Sequence, residues 1–304
     1  VSLLVPDAQG NLADVVLGFD DPNLYVSSGS FLGATVGRNA NRLRDAEFTL
    51  GNKRVSLTPN ENNNNLHSGP DFFKNRLWTL EKEAASEVTF SVHSPNMDQG
   101  FPGDAHIRVT YALDGQGGLH VRYWAKADQD TVFNMTNHSY FNLAGHQHPD
   151  RAVHQVLSMP ARHFTPDDAQ NIPTGALRDV AGSPMDFRVP KPIARDLNAD
   201  YDALKLQGGY DHNWEVFCNP CATLTDPDSG RCLCVYTDCP GIQFYSGNYL
   251  NDQGKDGVYY GRNSGMALET QFYPDCLHNP DWAQPITKAN TVYKSETVYR
   301  FSCK

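Results

Sequence analysis

Strict alternation of apolar and polar positions recurs along the chain. In "HIRVTYAL", Ile107, Val109, Tyr111 and Leu113 fall on one face. In "GLHVRYWAKA", Leu119, Val121, Tyr123 and Ala125 fall on one face, with His120, Arg122 and Trp124 opposite. A period of two is the signature of half-buried strands. "DGQGG" at Asp114–Gly118 separates these two runs and predicts a turn between them. "DPDSGR" at Asp226–Arg231 lies between "CATLT" and "CLCVYT" and predicts a hairpin. The C-terminal "TVYKSETVYRFS" is rich in β-branched and aromatic residues and predicts another strand. Helical periodicity is scarce, with one short candidate at Asp200–Leu206, "DYDALKL". Short strands with frequent turns predict an all-β sandwich, here as one domain over residues 1–304.

Four polar clusters interrupt this strand-like pattern. The first joins "GRNANRL" (Gly37–Leu43) to "NNNNLHSGP" (Asn62–Pro70) and supplies Asn41, Arg42 and His67. Arginine offers a fixed fork of donors, and asparagine both donates and accepts. The bland alternative is two surface loops with a solvated arginine. The second is "TNHSYFNLAG", Thr136–Gly145, which carries His138. Taken alone, a histidine in strand context is more often a satisfied structural residue than a catalyst, and flanking asparagines can fix its tautomer either way. The third, "GGYDHNWEV", places Asp211 beside His212, a weak metal-ligand signal or a turn leading into a strand. The fourth combines "GIQFYSGNYL", with Gln243, and "MALETQFYPD", where Glu269 follows three apolar residues. A carboxylate at a buried strand has a raised pKa, which suits a general base; at an exposed strand end it is merely solvated.

Composition narrows the function. A formal net charge of −10 without a basic stripe argues against a nucleic-acid partner. No apolar run reaches the length of a membrane span. The seven cysteines, Cys218, Cys221, Cys232, Cys234, Cys239, Cys276 and Cys303, are an odd number crowded toward the C-terminal third. That pattern does not suit a disulfide framework, and a reducing, cytoplasmic setting is the simpler expectation, with secretion left open. "CNPC" with "CLC" is similar to zinc-ligand spacing, against which stands the reading as small buried thiols. Walker, Gly-x-Ser-x-Gly and HExxH motifs are missing, so no cofactor is indicated.

In this order, the clusters resemble the aldose 1-epimerase (galactose mutarotase) family. The resemblance runs from "VPDAQGNLADVVLGFDD" through "GATVGRNANRL", "LTPNENNNNLHSGP", "TNHSYFNLAG", "GGYDHNWEV" and "GIQFYSGNYL" to "ALETQFYPD", nearly the whole chain. It implies a large antiparallel β-sandwich with few short helices and an open sugar cleft, with the family's first strands expected to be missing before "VPD". It implies His138 as general acid and Glu269 as general base, with Asn41, Arg42, His67, Asp211 and Gln243 on sugar-contacting positions. It further implies a free aldose as substrate, no cofactor or metal, and a monomer or homodimer. Ring opening at C1 needs a base at the C1 hydroxyl and an acid at ring oxygen O5, and a carboxylate near His138 is expected to raise its pKa. Trp214 or Tyr245 is expected to offer an apolar face to the sugar. Two departures stand out: Ser68 where the family commonly has glycine, and Cys276 where a small residue such as alanine is usual. The alternatives are a mutarotase-like enzyme for another sugar or a sugar phosphate, with Arg38 as a second basic group, and a non-catalytic sugar-binding protein.

Overall fold

A computed structural model describes residues 1–303. Its largest sheet has nine antiparallel strands in the order Lys191–Pro192, Val156–Ser158, Ala222–Thr225, Arg231–Thr237, Val292–Cys303, Gly118–Ala127, Ala105–Leu113, Glu87–Ser94 and Thr79–Ala84. The two alternating runs form strands that pair across the predicted turn, with Ile107 opposite Ala125, Val109 opposite Tyr123 and Tyr111 opposite Val121. Ile107, Val109, Val121, Tyr123 and Ala125 are buried, whereas Leu113 at the turn is exposed. Asp114 closes that turn by accepting the amides of Gln116 and Gly118 at 2.8 and 2.9 Å. The predicted 226–231 hairpin also forms, joining Ala222–Thr225 to Arg231–Thr237.

A second sheet of six antiparallel strands runs Tyr140–Phe141, Met266–Gln271, Gly241–Tyr245, Asp211–Glu215, His163–Phe164 and Arg178–Asp179. Trp214, Ile242, Phe244, Met266 and Leu268 from one face of it share a core with Val109, Val121, Leu233, Val235 and Tyr299 of the larger sheet. Two sheets burying one apolar face each against the other make the sandwich. The opposite face of the six-stranded sheet is polar, and the site lies on it.

The candidate helix forms as Asp202–Gln207, ended by Gly208 in the left-handed conformation (φ 64°), which glycine adopts without a Cβ penalty. A second helix, Pro22–Ser27, carries an unrecognised start signal: Asp21 caps the amide of Asn23 and Pro22 opens the first turn. No helix among the described residues is long and apolar enough to cross a membrane.

The cysteines make no disulfide. The hairpin register sets Cys232 opposite Thr225 and Val235 opposite Ala222. Cys221 therefore lies four residues, about 13 Å, along the ladder from Cys232. That spacing removes the zinc reading, and no metal-ligand group among the described residues includes a cysteine. Cys276 is buried, and burial pushes its thiol up to about 12.

Candidate active site

Three neighbouring strands of the six-stranded sheet put alternate residues on its polar face. Asp211 and Asn213 come from one, Gln243 and Tyr245 from the next, and Ala267, Glu269 and Gln271 from the third, with Asn213 opposite Gln243 and Gln243 opposite Glu269. His212 and Trp214 point the other way, into the core, where Trp214 donates to the Met185 carbonyl at 3.1 Å. Asp211 and His212 therefore cannot share a ligand, and Trp214 cannot face a sugar.

A cleft of about 500 Å³ opens over this face, lined by Asn41, Arg42, His67, His138, Asp211 and Glu269 together with Phe31, Glu61, Tyr140, Tyr245 and Tyr249. Of the expected aromatics, Tyr245 lines it. Gln243 does not line it: its amide donates to Asp211 Oδ1 at 2.8 Å and so fixes that carboxylate. Phe31, Glu61, Tyr140 and Tyr249 went unrecognised in the sequence.

Two loops carry the opposite wall. Asn41 and His67 both have positive φ (62° and 53°) and lock together. The His67 amide donates to the Asn41 carbonyl at 3.0 Å, and the Asn41 amide donates to His67 Nδ1 at 3.0 Å. Asn65 ties the loop down by donating to the Gly69 carbonyl at 3.0 Å. Ser68 also has positive φ, 57°, which explains why glycine suits the position. Here the hydroxyl offsets the strain: it accepts from the Asn39 amide at 2.8 Å and donates to the Asn39 carbonyl at 2.9 Å. Ser68→Ala deletes both buried bonds and keeps the strain. It is expected to lower stability by about 1–3 kcal/mol, read from urea midpoints at unchanged m; an unchanged midpoint would remove Ser68 as the support of this loop.

Arg42 grips Glu61 through Nε (2.6 Å) and Nη2 (3.0 Å), leaving Nη1 3.9 Å from Asp211. Burial opposes its charge, but Glu61 and Asp211 outweigh that and raise its pKa. Burial raises Asp211, against Arg42 and Gln243, which lower it. Asp167, behind them and bound by Gln207, is pushed up to about 8 by burial and then by Asp211. Arg42 is the one cation among the lining residues. Arg38 is spent elsewhere: it is buried and donates to Ser94 and to the carbonyls of Pro102 and Gly103.

His138 ends the Thr136–His138 strand, which pairs with Ala34–Val36. Its Nε2 lies 3.6 Å from Glu269 Oε1. Neither flanking asparagine sets its tautomer: Asn137 accepts the Ser139 amide, and Asn142 donates to the His148 carbonyl. Both members of the pair are almost wholly buried, and His138 Nδ1 and Glu269 Oε2 have no hydrogen-bond partner among the described residues. Burial raises Glu269 well above the usual carboxylate range and lowers His138 to about 4. The expected rise for His138 is thus reversed, because desolvation outweighs the neighbouring carboxylate.

His67, His138 and Glu269 bring ligand-type atoms within 4.8 Å of one another. Yet the Asn41 amide occupies the Nδ1 lone pair of His67. Neutral imidazole must then carry its proton on Nε2, the nitrogen left to act. Burial holds His67 neutral. It is therefore set as a hydrogen-bond donor to an oxygen rather than as a metal ligand.

A family model described as aldose 1-epimerase matches residues 1–300. The chain is similar to the galactose mutarotase of Bos taurus, 40% identical over 99% of this chain and 87% of the relative. It is also similar to the aldose 1-epimerase of Escherichia coli K12, 36% identical over 99% of this chain and 88% of that protein. Among solved structures, an aldose epimerase homologue from C. elegans superposes with a TM-score of 0.92 at 30% identity, covering 100% of this chain and 92% of the other.

Proposed function

Since the chain belongs to the aldose 1-epimerase family and interconverts the anomers of aldoses, we propose that His138 and Glu269 carry its two proton transfers. The observation that supports this is their meeting at 3.6 Å in one buried cleft. Glu269 removes the proton of the C1 hydroxyl. The O1 electrons form the carbonyl, the C1–O5 bond breaks, and O5 takes a proton from His138. Rotation about C1–C2 turns the other face of the aldehyde, and the reverse transfers close the ring. Free hexoses, D-galactose and D-glucose, are the proposed substrates. Arg42, the cleft's lone cation, is already engaged by Glu61, which disfavours a sugar phosphate. Arg42 Nη1, Asp211, Asn41 and His67 hold the hydroxyls, and Tyr245 gives the ring an apolar edge. Gln243 serves by positioning Asp211.

Burial gives the pair a direction. The reactive form is imidazolium with carboxylate. Ring opening converts it to imidazole with carboxylic acid, the forms that a dry cleft favours. The site is thus matched to the protonation state of the open-chain intermediate, and a held aldehyde recloses before it escapes.

Polarimetry on freshly dissolved α-D-galactose and α-D-glucose tests the reading; a parent chain no faster than buffer on both sugars refutes it. The acid limb of the rate profile is a further prediction. One proton on the pair is the active count, and a second proton inactivates it. An ordinary histidine takes that proton near 6.5, but burial delays His138 to about 4. kcat/KM is expected to hold as pH falls through 6.5 and to drop only toward 4. A limb near 6.5 would mean that the acid is not a buried histidine.

A further inference from the structure

A second group of ligand-type side chains lies outside this cleft, on the outer face of the nine-stranded sheet. His93 and His106 stand directly opposite each other on the antiparallel strands Glu87–Ser94 and Ala105–Leu113. Their rings stack with centroids 5.1 Å apart. Asp104 precedes His106 by two residues, so it projects from the same face. Its carboxylate lies 2.9 Å from His93 Nε2. The neighbours Val92, Ala105 and Ile107 point inward and are buried. From these placements we infer that His93, Asp104 and His106 form a surface site for a divalent transition-metal ion of the Zn²⁺, Ni²⁺ or Cu²⁺ class.

Geometry and chemistry both carry this. One donor atom from each residue lies within 4.8 Å of the other two. Ligand bonds of about 2.0–2.2 Å need donors slightly closer than that, a small rotation for exposed side chains. The side chains of His93 and Asp104 are 53% and 42% exposed, so they are free to make it. Two imidazoles and one carboxylate select a borderline transition metal over Mg²⁺ or Ca²⁺, which prefer oxygen shells. The contrast with His67 decides the tautomer. Among the described residues the hydrogen bonds of His93 are made at Nε2, so its proton can pass to Nδ1 while Nε2 binds the ion. The strands supply a rigid base, since His93 and His106 are fixed by continuous pairing on both sides of the cross-strand step. Asp128 adds negative charge nearby and accepts the Asp104 amide at 2.8 Å. Of the cations on this face, Arg108 is committed to Glu81 at 2.7 Å. Lys126, opposite His106 on the next strand, is exposed and can extend into solvent. Three protein ligands leave the outer positions to water. A bound ion would staple the two strands together and stabilise the folded chain by mass action.

The test is a calorimetric titration of the tag-free chain with ZnCl₂, repeated with Co²⁺ to read the visible ligand-field band. Parent, His93→Asn and His106→Asn are compared, with and without galactose. The parent is expected to take one equivalent of Zn²⁺ unaffected by galactose. Each variant is expected to bind at least about tenfold more weakly, while keeping parent mutarotase activity in metal-free buffer as proof of folding. No saturable binding by the parent, parent-like binding by the variants, or displacement of the ion by galactose would each overturn the assignment.

Discussion

Glu269→Gln is expected to lower kcat for α-D-galactose by about 10²–10⁴-fold and at the same time to make the chain more stable at neutral pH. Glutamine keeps the shape and the hydrogen-bonding length of the side chain but cannot take the C1 hydroxyl proton. The stability gain follows from the raised pKa. Above its unfolded value near 4.5, Glu269 is ionised in the unfolded chain, whereas the buried side chain holds its proton well beyond that. Folding at neutral pH must then bind a proton, at a cost that grows with pH until the folded pKa is passed. Glutamine carries no such cost. The melting temperature of the variant is expected to exceed that of the parent at pH 7, and the gap to close as pH falls below about 4.5, where both states are protonated. Polarimetry and thermal melts at pH 7 and pH 4 read the two effects separately. A variant with near-parent kcat would remove Glu269 from the chemistry; a variant less stable than the parent at pH 7 would show that its carboxylate is paired rather than merely buried.

His138→Asn should cost a similar factor, about 10²–10⁴ in kcat, because no group remains to protonate O5. KM should move little, since Arg42, Asp211 and His67 hold the sugar independently. Adding Glu269→Gln should then cost far less than the product of the two losses, because acid and base act as a unit. The pH signature runs opposite to that of Glu269. The folded pKa of His138 is lowered to about 4 from 6.5. As pH falls between those values, the unfolded chain gains a proton there that the folded chain refuses, and stability is lost. The asparagine variant lacks this site, so its melting temperature should decline less than the parent's between pH 7 and pH 5. Equal declines would indicate that the imidazole is charged in the folded chain.

Much of the fold was legible because alternation states a strand's face directly. The two strands of 105–127, the turn between them and most of their buried face follow from two runs of period two and one glycine-rich turn. The same parity was available inside the site. Asp211 and Trp214 are an odd number of residues apart on one strand, so they had to face opposite ways, and Trp214 had to leave the cleft. Other features carry no periodic signal. Glu61 sits in an asparagine-rich loop, 19 residues from the Arg42 that it grips, and nothing local announces the pair. Phe31 enters the cleft from a loop, with φ at 57°. The raised pKa of Glu269 was legible from its apolar neighbours, but the direction of the His138 shift was read the wrong way round, because it depends on how completely the surrounding residues exclude water. That quantity belongs to the packed molecule and not to any motif.

The division of the six-stranded sheet into a core face and a working face has a consequence for how this protein can change. Leu268 and Thr270 flank Glu269 and face the other side, as Ile242 and Phe244 flank Gln243. Sliding the Met266–Gln271 strand by one residue would turn Glu269 into the core and present leucine or threonine to the sugar, and sliding Gly241–Tyr245 would turn Gln243 inward in the same way. An inserted or deleted residue there is therefore lost to catalysis and folding together, and heredity can edit these strands only letter by letter. The loops bearing Phe31, Glu61 and Tyr249 are under no such rule. New sugar preferences should arise there, by changes in length as readily as by changes in side chain.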